Sequence, residues 1–336
     1  MRYIIIGAGA VGGTIGARLF QNGHEVVLVA RGEHYAALRD RGLRFATPAG
    51  QVTLPVPVVS GPGELPLRAD DVLILTVKAQ DSVAALDAWA WRPVAGGGVA
   101  AEVLPVLCGQ NGVASERFAL RRFGHVYGVC VWLPATHLRP GEVEAQGAPM
   151  SGLLPVGRYP AGSDETARQV AAGLAASTFL APVRDDVMRW KYGKLLTNLV
   201  NAVEAVCGPS GAENGNAAGA KELRRRAREE GAAVLDAVGV AYSTPDEMAG
   251  LRGDQVRIEA VSGARRTGGS SWQSLIRGTG SIEADYLNGE VVLLGREHGV
   301  PVPVNELLQR LANQFAADRR APGSVTPAEM AALLAA

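Results

Sequence analysis

The sequence carries no surplus of charge: 33 Lys and Arg stand against 33 Asp and Glu, for a formal net charge of zero. Proteins whose main partner is a phosphate backbone concentrate cations on at least one face, so this balance argues against nucleic acid as a partner. Cysteine is scarce. Cys108, Cys130 and Cys207 lie far apart and form no CxxC pair, which gives no metal-ligand pattern, fits a reducing compartment, and reads as three small buried apolar side chains. No apolar run approaches the roughly 18 residues of a membrane span, and Met1-Arg2 leads straight into Tyr3-Ile4-Ile5-Ile6 without a leader-like segment. The expectation is a soluble cytoplasmic protein with no membrane partner. There is also no internal repeat, no Gly-X-Y period and no Ser-rich tract.

What is present is a chain of 336 residues, 47% hydrophobic and only 20% charged, long enough for two cores and folded chiefly by burial. Its 42 glycines and 19 prolines must therefore serve turns or close backbone approach. Short apolar runs alternate with helical patterns at the start: a strand over Tyr3–Ile6, a helix over Val11–Asn22 stopped by Gly23, and strands over Glu25–Ala30, Val72–Val77 and Val103–Leu107. A helix near Asp81–Trp89 and a turn at Gly96–Gly98 intervene. From Val126 to Val156 the pattern is again β-like, which predicts an antiparallel or mixed extension. Beyond Asp185 helices are expected near 186–206, 219–238, 245–262, 281–298 and 303–317. The predicted class is α/β: an N-terminal Rossmann-like dinucleotide-binding domain over 1–184, followed by an all-α C-terminal domain over 185–336.

Gly7-Ala8-Gly9-Ala10-Val11-Gly12 fits GxGxxG in the context that motif needs, directly after a buried strand and directly before a helix. The first Gly permits the tight turn, the second lets backbone approach a pyrophosphate, and the third lets helix and strand lie close. Phosphates would meet free N–H groups and the positive end of the helix dipole. An NAD site would place an acid at the end of the second strand; here the strand ends Val29-Ala30-Arg31, and a guanidinium suits a 2′-phosphate, so the expected cofactor is NADPH/NADP+. Glu33 nearby keeps the NAD reading open. Ligands of parallel sheets bind beyond the carboxyl ends of strands, which draws attention to Lys78 and to Asn111 in the Gln110-Asn111-Gly112 turn, although a surface Lys and a simple turn residue would look the same.

Between Val187 and Cys207 the sequence gives one helix with an apolar face of Leu195, Leu196, Leu199, Val203 and Val206, and with Lys194, Asn198 and Asn201 grouped on the opposite face. A polar face can be merely solvated. Two asparagines are nonetheless poor helix formers for a bare surface, and they read as ligand-facing. A second polar set comprises Ser270-Ser271-Trp272 and, twelve residues after Ser271, Glu283; Ser281 reads as the N-cap of the following helix, with Glu283 in its first turn. That helix closes at His298-Gly299-Val300-Pro301, so His298 reads as a helix-end residue.

As an ordered set, the N-terminal GAGAVG, Lys78, the turn holding Asn111, the WKYGKLLTNLVN segment and the spacing from Ser-Ser-Trp to Ile-Glu-Ala-Asp-Tyr-Leu-Asn-Gly resemble the ketopantoate reductase family (2-dehydropantoate 2-reductases) across nearly the whole chain. The resemblance implies an NADPH-binding Rossmann domain joined to a helical domain, with the active site in the cleft between them. It implies Lys194 as the catalytic lysine, Glu283 as a second catalytic group, Asn111, Asn198, Asn201 and Ser271 in the substrate site, and Arg31 and Lys78 on the cofactor with Asn111 and the turn Gly7–Gly12. Asn201 follows the lysine by seven residues where relatives often have eight, and Leu275 stands where many have Asp. Lys191 is a competing lysine without an Asn at the family spacing. The implied reaction is hydride transfer to 2-dehydropantoate giving (R)-pantoate, in pantothenate biosynthesis, with Lys194 as general acid. Reduction of another 2-keto acid, or a non-catalytic NADP-sensing protein, are the other readings; the expected partners are a small 2-keto acid and no metal, with a homodimer left open.

Overall fold

The computed structural model describes residues 1–208, 217–263 and 268–335. Two compact units divide the chain, one made of 1–191 with 244–266 and the other of 192–243 with 267–336. The first is a Rossmann-like α/β unit. Its seven-stranded sheet runs, edge to edge, Val58–Val59, Glu25–Val29, Arg2–Ile6, Asp71–Leu75, Val106–Cys108, Val126–Val129 and Val156–Arg158, all parallel except the last. The central strands are apolar without alternation because both faces are covered. Tyr3, Ile5, Leu28 and Ile74 join Ile15 and Leu19 in one core, while Ile4, Ile6, Leu73 and Val106 join Leu86 and Trp89 in the other.

The β-like stretch after Val126 supplies two sheet strands and part of a second, four-stranded sheet of Ala135–Thr136, Glu142–Ala145, Leu43–Thr47 and Gly50–Leu54, the mixed extension expected. Two strands shift at an end by more than one residue. The strand expected at Val103–Leu107 forms at Val106–Cys108, since Ala100–Val103 is a helical turn in which the Glu102 carboxylate accepts the Val99 N–H at 3.3 Å. The strand expected to reach Val77 ends at Leu75, because its partner strand ends at Ile6, where the chain turns at Gly7, whose carbonyl takes the Thr76 hydroxyl.

The second unit is helical, with helices Asn201–Cys207, Ala217–Ala237, Ser270–Ile276, Asn288–His298, Pro303–Ala317 and Pro327–Ala335. Its buried centre includes Leu199, Val203, Val234, Val291, Leu308 and Phe315. The single helix expected over 186–206 is two, Val187–Asn198 and Asn201–Cys207. The buried Asn288 amide donates to the Leu199 carbonyl at 3.1 Å, an acceptor that a continuous helix would have used for its own ladder. The helix expected over 245–262 is Pro245–Arg252, ended by Gly253 at φ 52°, after which Val256–Ile258 pairs with Gly147–Pro149 as a strand of the first unit. The helix expected from 281 begins instead as a 3₁₀ turn over Glu283–Tyr286, followed by Asn288–His298, so Ser281 caps nothing there. Gly299 does close that helix in the left-handed conformation. The Gly-rich stretch Gly208–Gly219, expected as a loop, lies outside the described residues over 209–216 and is already part of the Ala217–Ala237 helix at 217–219.

The first strand is tied to its neighbour by Arg2, whose guanidinium grips the buried Asp71 carboxylate through two bonds of 2.6 and 2.7 Å. Asp71 also accepts the Arg68 N–H at 2.7 Å. Breaking a buried pair from one side strands the remaining charge and costs about 3–5 kcal/mol. Asp71→Asn should lower unfolding free energy by about that amount in a urea titration; a loss under about 1 kcal/mol would place the pair among ordinary surface ion pairs.

Candidate functional site

The glycine-rich turn joins Arg2–Ile6 to the Ala10–Gln21 helix, and its three glycines differ in what surrounds them. Gly7 has φ +108°, and a Cβ there would meet the Val77 backbone nitrogen at 2.6 Å. At Gly12 a Cβ would collide with the Gly7 carbonyl and the Thr76 hydroxyl. At Gly9 it would meet nothing within 4 Å. The helix starts with Gly9 as N-cap, no side chain caps it, and its first turn holds no acid. Its first N–H groups are therefore offered to whatever lies beyond, an arrangement suited to a dinucleotide pyrophosphate. The open space at Gly9, against the crowding at Gly7 and Gly12, is the cradle such a group requires.

Two residues that shape this turn escaped the sequence reading. Thr76 donates its hydroxyl to the Gly7 carbonyl at 2.8 Å. His34 binds the Ala8 carbonyl through Nε2 at 2.8 Å and accepts the Gly141 N–H at Nδ1 at 2.9 Å, which fixes it as the tautomer protonated on Nε2. His137 lies against it with ring centroids 4.3 Å apart. Nothing in the local sequence distinguishes His34 from a helix-surface histidine, because its partners are 26 and 107 residues away.

Arg31 is exposed and occupies the N-cap position of the Gly32–Arg41 helix, immediately beyond the second strand. Glu33 sits exposed in that helix's first turn. Lys78 is half-buried and precedes the short 3₁₀ turn Ala79–Asp81, three residues past the strand rather than next to it. Asn111 is half-buried, three residues past Val106–Cys108. Its loop belongs to the same edge as the glycine turn: the Gly109 N–H bonds the Leu75 carbonyl at 2.8 Å, and a Cβ on Gly109 would stand 3.0 Å from Thr76 Cγ2.

The remaining predicted residues lie in the helical unit. Lys194 is half-buried and Asn198 buried, one turn apart on Val187–Asn198. The Asn198 Nδ2 is buried without a hydrogen-bond partner, which is an exception for buried polar groups in folded proteins. Asn201 does not share that helix. Its amide donates to the Ser270 hydroxyl at 3.3 Å, while Glu204 accepts the Gly269 N–H at 2.9 Å, and the two contacts fasten the start of the helix carrying Ser271. Ser271 and Glu283 are both buried, and so is Leu275. The charge of Glu283 also reaches Arg277, whose pKa burial lowers and Glu283 partly restores.

The competing lysine is differently placed. Lys191 is buried and ion-paired with Glu116 Oε1 at 2.5 Å, and its ammonium also donates to the Cys108 and Gln110 carbonyls at 3.2 and 3.0 Å. Two of its protons are thus engaged by backbone carbonyls, and its charge is balanced by Glu116. Burial pushes the Glu116 carboxyl up, against the opposing pull of Lys191. Of the cysteines, Cys108 and Cys130 are buried and Cys207 is half-buried, its thiol pushed up to about 11 by burial. Among the described residues no group of acidic, His and Cys side chains could hold a metal ion, and no helix is long and apolar enough to cross a membrane.

The family model described as ketopantoate reductase PanE/ApbA matches residues 3–160, and that for the C terminal part of the same family matches residues 186–316. A 2-dehydropantoate 2-reductase of Pyrococcus horikoshii is 26% identical over 324 residues, covering 93% of this chain and 96% of the relative. One of Caulobacter vibrioides is 29% identical, covering 93% and 98%. Among solved structures, a PanE/ApbA family ketopantoate reductase from Ralstonia eutropha aligns with a TM-score of 0.76 at 28% identity, over 95% of this chain and all of that one. D-mandelate dehydrogenase with NADH and anilino(oxo)acetate aligns with a TM-score of 0.78 at 23% identity, over 95% and 99%, a likeness of fold.

The contrast among the glycines makes a stability prediction. Gly12→Ala should destabilise by about 1–3 kcal/mol through overpacking, read as a lower urea midpoint, whereas Gly9→Ala should shift the midpoint little. Equal shifts would show that the two sites are packed alike.

Proposed function

The chain belongs to the ketopantoate reductase family, and on that premise we propose that it reduces 2-dehydropantoate to (R)-pantoate with NADPH, a step of pantothenate biosynthesis. The observation that carries the reading is the buried, unpartnered Nδ2 of Asn198 one helical turn beyond Lys194. An amide in that state has a use when a substrate oxygen arrives. A site that held cofactor alone would need neither this amide nor the lysine.

The turn Gly7–Gly12 would hold the pyrophosphate through the helix N–H groups, Arg31 the 2′-phosphate of the adenosine ribose, and Lys78 and Asn111 the cofactor nearer its reacting end. When bound, the dinucleotide supplies the hydride equivalent that the carbonyl carbon takes up. The chain's own task is the oxygen. As the carbonyl oxygen becomes an alkoxide, the Lys194 ammonium stabilises the charge and donates a proton, the kind of positioned acid catalysis worth roughly 10²–10⁴ in rate. Glu283 keeps the ammonium or a substrate hydroxyl in place, and Ser271, Asn111 and Asn198 orient the carboxylate and the keto group. Asn201, bonded to Ser270, acts in this scheme by holding the serine pair.

A second reading, another 2-keto acid as substrate, rests on Leu275, a buried apolar side chain close in sequence to Ser271 where an acid is common among relatives. The decisive assay follows NADPH absorbance with 2-dehydropantoate and, in parallel, with a panel of 2-keto acids that includes an aromatic one. Turnover of 2-dehydropantoate at the highest kcat/KM supports the proposal; preference for another acid replaces it.

Lys194→Ala should lower kcat by about 10²–10⁴ while NADPH affinity is retained, measured by steady-state kinetics and fluorescence titration; a near-normal rate rejects its acid role. Arg31→Ala should weaken NADPH binding by about ten- to a hundredfold, the value of a charge-assisted contact, and leave NADH nearly unchanged. Equal losses for both cofactors would remove Arg31 from the 2′-phosphate.

A further inference from the structure

Lys191 and Glu116 form an ion pair inside the α/β unit, with side chains 1% and 0% exposed. Such a pair is seldom retained for stability, since well-packed apolar side chains of similar volume usually do as well. What apolar side chains cannot do is satisfy backbone carbonyls. Beyond Val106–Cys108 the chain leaves the sheet ladder, and the carbonyls of Cys108 and Gln110 take the Lys191 ammonium as donor at 3.2 and 3.0 Å. Gly109 between them is pinned from the other side by its N–H on the Leu75 carbonyl. The Gln110 side chain is held as well, its amide donating to the Ser82 hydroxyl at 3.3 Å, which in turn meets Ser115 at 3.1 Å. The next residue is Asn111.

We propose that Lys191, with Glu116 as its buried counter-charge, is a positioning residue for the reaction: it clamps the Cys108–Gln110 backbone so that Asn111 is presented to the ligand in one orientation. The ammonium donates to two loop carbonyls while the Glu116 carboxylate balances its charge, and those two bonds set the course of the loop. Glu116 serves by making a charged lysine tenable in the interior. The proposal rests on the assignment of Asn111 to the site made under the proposed function.

The test replaces both charges together, Lys191→Met with Glu116→Leu, so that no unpaired charge is left inside. Three readouts are taken on the full-length protein below its melting temperature. Amide exchange should rise at least tenfold in a peptide spanning 106–113 while the Arg2–Ile6 and Asp71–Leu75 strands keep their protection. The kcat/KM for 2-dehydropantoate should fall about tenfold or more, and introducing Asn111→Ala into the double variant should cost no more than a further twofold, because the residues act as one unit. Unchanged exchange at 106–113, or losses from the pair and from Asn111 that multiply in full, would overturn the clamp and leave the pair a structural one. A lowered melting temperature with unaltered kinetics and exchange would do the same. Lys191→Gln with Glu116→Gln keeps a neutral donor facing the loop and should recover part of the protection and rate; should the Met/Leu variant fail to fold, a rise in exchange at 106–113 in the Gln/Gln variant with the strands still protected supports the clamp, and exchange equal to wild type there rejects it. If the wild-type protein turns over no 2-dehydropantoate, the functional reading fails by that result alone, while the exchange data still decide the clamp.

Discussion

The Gly7 carbonyl receives the Thr76 hydroxyl at 2.8 Å, and a methyl group on Gly12 would fall on the same oxygen. This close approach of the first helix to the first strand governs the carboxyl edge of the sheet. It brings the helix N-terminus, uncapped, to the end of Arg2–Ile6, and it ties that end to the neighbouring strand Asp71–Leu75, at the place where the strand order reverses direction. The next parallel strand is drawn to the same edge by Gly109, which bonds Leu75 and leaves little room for a side chain beside Thr76. The glycine turn and the Asn111 loop are therefore consecutive parts of one surface, placed by strand register and by the absence of side chains at a few positions. Parallel sheets put their ligands at such a reversal because the loops there part to either side.

Polar groups buried in this protein are used to hold backbone. Arg2 and Asp71 join the first strand to its neighbour, and Asp71 takes an N–H from Arg68 as well. In the helical unit Asn305 donates to the Ala227 carbonyl and to Glu230, Glu230 accepts the N–H groups of Val304 and Asn305 at the start of Pro303–Ala317, and Asn288 links Asn305 to the Leu199 carbonyl. The links to the Val304 and Asn305 N–H groups and to the Leu199 carbonyl close gaps where a helix begins or stops and its backbone lacks an internal partner. The zero net charge of the chain fits this economy, in which interior cations and anions are matched locally.

How much of this was legible in the sequence follows the range of the interactions. The central strands and the glycine turn were legible because both depend on neighbouring residues: unbroken apolar runs for strands covered on two faces, and glycine at fixed offsets for the turn. Lys194 and Asn198 share a helix, as their spacing of four requires. The break after Asn198 was hidden because the side chain that takes the Leu199 carbonyl comes from 89 residues further on. Asn201 was consequently placed on a face that does not continue to it. The strand at Val256–Ile258 was likewise hidden, since its partner Gly147–Pro149 lies in a distant stretch, and the three-residue segment has no periodicity of its own. His34 and Thr76 hold the turn through contacts that no local pattern encodes.

The pair of lysines on Val187–Asn198 shows why residue type and helical position are not enough to assign chemistry. Lys191 and Lys194 are three residues apart, about 60° around the helix and about 4.5 Å along it. A general acid must release its proton and regain it from outside. Lys191 cannot meet that demand, since its side chain is buried, faces a carboxylate and donates to two carbonyls; losing a proton would leave Glu116 buried with a charge and no counter-charge. Lys194 is half-buried rather than enclosed, and its near neighbour on the helix is the Asn198 amide, whose Nδ2 is buried without a hydrogen-bond partner. The proposed division of roles, Lys191 as strut and Lys194 as acid, thus rests on the different surroundings of two lysines less than one helical turn apart.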